Sequence, residues 1–103
     1  MHVTMRRYHL EPKAVDEVVR KANEGFAPLL SQAPGFLGYF VVDGGQGTLT
    51  TISLFETRTQ AEASSQQAAT WIKQNLAGLL PSPPEITVGE AKVQHKPMVP
   101  TAR

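Results

Sequence analysis

The stretch FLGYFVVD (36–43), GGQG (44–47), TLTTISLFE (48–56) decides how this chain folds. Two runs rich in β-branched and aromatic residues flank a short glycine-rich link, the pattern of two strands joined by a hairpin. The segment Gly44-Gly45-Gln46-Gly47 supplies the positive backbone angles that a tight hairpin loop needs. No Gly-Lys-Ser/Thr follows and no helix begins behind the link, so it is not a phosphate-binding loop. In alternation, Phe36, Phe40 and Val42 point to one face of the first run, and Leu37, Tyr39 and Val41 to the other. In the second run Ile52 and Leu54 oppose Leu49 and Phe55. Both faces of the hairpin are therefore apolar.

Before the hairpin, residues 2–10 alternate as a strand, with Val3 and Met5 on one face and Thr4, Arg6 and Tyr8 on the other. Glu11-Pro12 opens a helix, since proline is tolerated in a first turn. Val15, Val18, Val19, Ala22 and Phe26 form its apolar stripe. Gly25 and Pro28 predict a kink, with one more turn through Leu29 and Leu30 before Ala33-Pro34-Gly35 ends it.

After the hairpin, Thr59 and Glu62 have capping-box spacing. They predict a second helix through Ala61, Ser65, Ala68, Trp71, Ile72 and Leu76, ending near Gly78. A stiff Pro81-Ser82-Pro83-Pro84 link leads to a fourth strand over 85–94. The expected domain is residues 1–95, with an irregular tail over 96–103.

The order β-α-β-β-α-β predicts an α+β, ferredoxin-like antiparallel sheet with both helices on one face. Two helices cover one face only, and the other would stay wet and apolar. A second copy packed sheet to sheet about a two-fold axis removes that exposure, so a homodimer is expected.

Composition narrows the functional classes. The chain has 103 residues, 41% hydrophobic and 18% charged, as for one globular domain. Ten basic and nine acidic residues give a net charge of +1, too balanced for nucleic acid as the main partner. The absence of cysteine excludes disulfides, thiolate metal sites and thiol nucleophiles. MHVTMRRYHL enters strand alternation without a secretory leader, and no run suits a membrane span, so a cytoplasmic location is expected.

Three stretches carry a resemblance: PGFLGYFVVDGG, SLFETRTQAEAS and TWIKQNL. With the element order, they resemble the antibiotic-biosynthesis-monooxygenase-like (ABM-like) proteins of the dimeric α/β-barrel superfamily, over about Val3 to Val93. The superfamily includes cofactor-independent monooxygenases of polyketide quinones, haem-degrading enzymes and stress-response proteins. The resemblance implies a ligand cavity between helices and sheet, no cofactor, and a small aromatic or apolar ligand. The haem-degrading members carry an asparagine on strand one and a histidine on or just after helix two. Here Asn23 and Asn75 fall on helices and no histidine lies between His9 and His95, so haem degradation is not expected.

Trp71 is the candidate platform for a flat substrate, against a plainer reading as core filler with its N–H bonded locally. His9 is the candidate base and Tyr39 a candidate hydrogen-bond donor to substrate oxygen. Tyr8 and Arg6 are further groups able to reach a cavity, Arg6 as a stabiliser of an enolate. Phe26, Leu30, Ser53, Trp71 and Ile72 are the expected ligand-lining residues. His2, His9 and His95 lack metal-ligand spacing, so no metal is expected. Three functions stay open: a cofactor-independent monooxygenase on a quinol-type substrate, a non-catalytic apolar-ligand binder, and a stress-response dimer with a filled core.

Overall fold

The computed structural model of the chain describes residues 1–95, and the expected tail over 96–103 lies outside them. Strands β1 (His2–His9), β2 (Phe36–Gly45), β3 (Thr48–Phe55) and β4 (Glu85–Glu90) form one sheet in the order β2-β3-β1-β4. Every neighbouring pair is antiparallel. The helical elements are α1 (Val15–Lys21), α2 (Ala27–Ser31) and α3 (Arg58–Asn75). The sequence-derived order thus holds, and the fold is α+β and ferredoxin-like.

The first helical arm departs from the regular helix its stripe suggests. A 3₁₀ turn, Pro12–Ala14, precedes α1, and a π-helical segment, Ala22–Phe26, joins α1 to α2. There the Ala27 N–H donates to the Ala22 carbonyl, five residues back. Gly25 falls in this wide turn and Pro28 in the first turn of α2, where a missing N–H costs least.

The N-cap of α3 lies two residues earlier than expected. Thr57, extended at φ −128°, is the N-cap: its Oγ1 accepts from the Gln60 N–H at 3.2 Å, and Gln60 Oε1 accepts from the Thr57 N–H at 3.1 Å. Thr59–Glu62 has the same spacing, but the chain already turns out of β3 at Glu56, so the earlier pair meets the free N–H groups first. The helix stops at Asn75 rather than near Gly78, because Leu76 leaves the helical region at φ −119°. Strand β4 likewise ends at Glu90, short of the expected 94.

The helices cover the sheet face carrying Thr4, Arg6 and Tyr8, the face whose β1 residues look polar in the sequence. Thr4 and Tyr8 are buried there, beside Leu49, Ser53 and Phe55 of β3. Two apolar clusters fill the space beneath the helices. One gathers Tyr8, Leu10, Val15, Val18, Leu49 and Leu76; the other gathers Phe26, Leu30, Phe55, Ala61 and Ala68. Trp71 packs against both. Small residues at Ala61, Ser64 and Ala68 let α3 lie close to the strands.

A β-bulge corrects the face assignment of β2. Phe36 pairs with Phe55 and Gly38 with Leu54, so Leu37 is an extra residue in the ladder. Phe36 therefore joins Tyr39 in the helix-side core, while Leu37 turns outward with Phe40 and Val42. The outer face is left with Met5, Leu37, Phe40 and Val42 all exposed, Phe40 by 54%. No residue of this chain covers that patch among those described.

Candidate functional site

The sheet register sets the site row by row. On the helix side, Val41, Thr51, Arg6 and Ile86 lie in one row, and Tyr39, Ser53, Thr4 and Val88 in the next. Tyr8 stands one step further along β1, two residues from Arg6 on the same face. A strand period of two thus brings Arg6, Tyr8 and Tyr39 to the underside of α3.

Two cavities meet there. A small chamber of about 30 Å³ is lined by Arg6, Tyr8, Phe26, Tyr39, Trp71 and Ile72, among others. An open groove of about 690 Å³ runs between α3 and β4, with Arg6, Tyr8, Ser65, Ile72, Lys73, Ile86 and Val88 along it. Its end wall is the Pro81–Pro84 link, with Leu80 beside it. Arg6, Tyr8, Ile72 and Leu80 line both spaces and so form the shared wall. The groove lies in the usual size range for small-molecule sites, whereas the chamber holds little more than one water-sized molecule.

Arg6 is the charged centre of this region. Its Nη2 donates to Ser65 Oγ at 2.8 Å, a neutral partner. No carboxylate among the described residues lies within ion-pair distance of it. Burial pushes the Tyr39 phenol up to about 12, helped by the nearby Tyr8 and opposed by the Arg6 charge. Burial also raises Tyr8, again opposed by Arg6. Both phenols are therefore neutral hydrogen-bond donors at physiological pH.

Trp71 is held edge and face by the first helical arm. Its ring lies 5.3 Å from Phe26, which in turn meets Tyr39 edge-on at 5.4 Å. The indole separates the chamber from a second cleft of about 660 Å³ between α2 and α3. That cleft is lined by Gln60, Gln66, Gln67 and Gln74 with Leu29 and Pro34, and carries no ionisable group.

The expected site residues sort as follows. Trp71, Tyr39, Phe26 and Ile72 do line the chamber. His9 does not reach it: on a strand, a residue next to Tyr8 must face the other way, and His9 is exposed on the outer side. Leu30 and Ser53 are buried, Leu30 with Phe55 and Ala61, and line neither the chamber nor the groove. Ser65, Lys73, Ile86 and Val88 are groove residues that strand and helix alternation marked only as element positions. Among the described residues, no group of three His, Asp or Glu gathers to hold a metal ion.

The antibiotic biosynthesis monooxygenase family model matches residues 1–70. The chain belongs to this family. The match covers β1, the hairpin and most of α3, and so includes Arg6, Tyr8, Tyr39 and Ser65. None of the curated proteins matches the chain. Among solved structures, a protein of unknown function from Nitrosomonas europaea is similar at a TM-score of 0.79 and 23% identity, over 93% of each chain. A monooxygenase from Streptomyces coelicolor, solved with the ligand nanaomycin D, is similar at 0.74 and 17% identity, over 93% of this chain and 91% of that one. The haem-degrading protein MhuD of Mycobacterium tuberculosis, solved with two haems in its active site, is similar at 0.73 and 15% identity, over 93% and 100%. At these identities the likeness is one of fold. No helix among the described residues is long and apolar enough to cross a membrane.

Proposed function

We propose that this family member is a cofactor-independent monooxygenase that oxidises a small quinol- or anthrone-type aromatic molecule in the groove between α3 and β4, and works as a homodimer. The observation that carries the reading is that Arg6 and Tyr8 stand on the wall shared by an open groove and a small chamber, with Tyr39 and Trp71 lining the chamber behind it. An activated methylene of such a substrate loses a proton to give an enolate, and Arg6 with the two neutral phenols stabilises the oxyanion. The enolate carbon reacts with dioxygen, and the hydroperoxide collapses to a ketone and water. The balance is CH₂ plus O₂ giving C=O plus H₂O, with no external reductant. The chamber beside Trp71 has the size for dioxygen next to the bound ring.

Oxygen uptake with anthrone as substrate tests this reading. Native protein is expected to raise the rate above the uncatalysed one, and Arg6→Met and Tyr39→Phe to lower it at least tenfold. His9→Ala is expected to leave it unchanged. Uptake no faster with protein than without it rejects the oxygenase.

A second reading is binding without turnover. It is favoured by the lining itself, which has no carboxylate or imidazole to accept the proton. In the oxygenase reading that proton passes to water at the open mouth of the groove. Native mass spectrometry of protein from its own host separates the two: an unchanged aromatic or fatty metabolite supports binding, an oxidised product supports catalysis.

The outer sheet face supports the homodimer. Met5, Leu37, Phe40 and Val42 form an apolar patch on the side away from both helices, and a second copy of the same sheet matches it in chemistry and extent.

A further inference from the structure

We propose that the groove binds an apolar carboxylate, its acid group paired with Arg6 and its body lying along Ile86, Val88 and the Pro81–Pro84 wall. This assignment rests on the groove being the ligand site, and it names the charge its ligand carries before any reaction.

Three observations point the same way. Arg6 is part-buried with a single neutral partner, Ser65, although a guanidinium carries five donors arranged to grip two oxygens at once. A cation withdrawn from water without a counter-charge is costly, and the natural remedy is an anion brought by a ligand. The acidic residues of the neighbouring strand are engaged elsewhere. Glu85 is tied to Arg7 at 2.6 Å and Glu90 to Lys92 at 3.1 Å. The groove lining holds two cations, Arg6 and Lys73, and no acid.

The remaining lining is apolar and stiff. Ile86 sits directly across the ladder from Arg6, and Val88 across from Thr4, on the helix-side face. Both are more than half exposed, because α3 does not extend over β4. Proline at 81, 83 and 84 fixes the end wall before a ligand arrives, which lowers the entropy lost on binding. A charged head beside a long greasy wall favours an aromatic or aliphatic body that carries an acid group over the same body without one, and over small hydrophilic anions. A carboxylate matches the planar fork of Arg6 better than a bare halide or a neutral carbonyl.

Titration calorimetry on the full chain under nitrogen, at low salt and pH 8, tests the pairing with 2-naphthoate against 2-naphthamide. The two share ring and outline and differ in charge. Naphthoate is expected to bind at least tenfold more tightly. In Arg6→Met that preference is expected to vanish while the naphthamide affinity stays within about twofold. Ile86→Glu, at an exposed edge position, supplies Arg6 with an internal carboxylate and is expected to abolish the preference without touching the core. Equal affinities in the native protein, no binding of either probe, or a preference that survives both substitutions overturns the proposal. Because no oxygen is present, failure here is separable from failure of anthrone oxidation, whose substrate is uncharged.

Discussion

Gly25 lies so close to the indole of Trp71 that a β-carbon placed on it would stand 2.9 Å from Cζ2. The π-helical turn over Ala22–Phe26 brings the backbone to this distance, and Phe26 closes the other side of the ring. Gly25→Ala gains up to about 1 kcal/mol of helix propensity but overpacks a rigid ring, which costs about 1–3 kcal/mol. The second effect wins. A net loss of about 1 kcal/mol is expected, seen as a fall of about 4–8 °C in Tm. The emission of Trp71, the one tryptophan in the chain, shifts with it. An unaltered emission spectrum with a raised Tm contradicts this account of the turn.

Tyr39 makes stability depend on alkaline pH. Its phenol ionises near 10 when unfolded and is pushed up to about 12 by burial in the fold. Between those values the unfolded chain has lost the proton and the folded chain keeps it. Stability is thus full below about pH 10 and falls as pH rises toward 12. Urea denaturation at pH 9 and pH 11 measures the effect. The native protein is expected to lose about 1 kcal/mol more than Tyr39→Phe across that interval. Identical losses in the two proteins rule out a buried phenol.

Phe40, centred on the outer face and 54% exposed in the single chain, is the position where a charge acts most directly on pairing. Phe40→Asp is expected to sediment as a folded monomer at concentrations where the native protein is expected to sediment as a dimer. Central aromatic residues of interfaces commonly contribute about 2 kcal/mol or more, roughly a thirtyfold change in dissociation constant. A native chain that is already monomeric at micromolar concentration removes the dimer from the proposed function.

The cap of α3 distinguishes two threonines. Thr57→Ala removes the side-chain acceptor for the Gln60 N–H and is expected to cost about 1 kcal/mol. Thr59→Ala, at an exposed position without such a bond, is expected to change stability by less than about 0.5 kcal/mol. Thermal melts of the two variants side by side check the order.

Much of this was legible from the residues because the signals are periodic. The glycine link between two apolar runs, the stripe from Val15 to Phe26 and the proline stops are local features, and local sterics alone set the element order. His9 could have been excluded by strand parity, since Tyr8 and His9 cannot share a face. The bulge at Leu37 could not be read so easily, because an inserted residue leaves the composition of an apolar run unchanged while reversing the side of Phe36. The groove was hidden for another reason. Ile86 and Val88 alternate like any half-buried strand, and only the reach of α3 across the sheet decides whether their inward side meets a helix or an opening. Likewise, the unpaired state of Arg6 depends on Glu85 turning to Arg7 on the opposite face, a relation set by the β1–β4 register.

The extra residue in β2 gives this hairpin an unusual tolerance to a change in length. Phe36 faces Phe55 and Gly38 faces Leu54, so residues on either side of Leu37 already stand in consecutive rungs. Excising Leu37 would let the rungs close without turning Phe36, Tyr39 or Phe40 to the wrong side. A one-residue deletion in the regularly paired stretch between Gly38 and Asp43 would invert the residues beyond it. Homologous chains can therefore differ by one amino acid at this point and still present the same two surfaces.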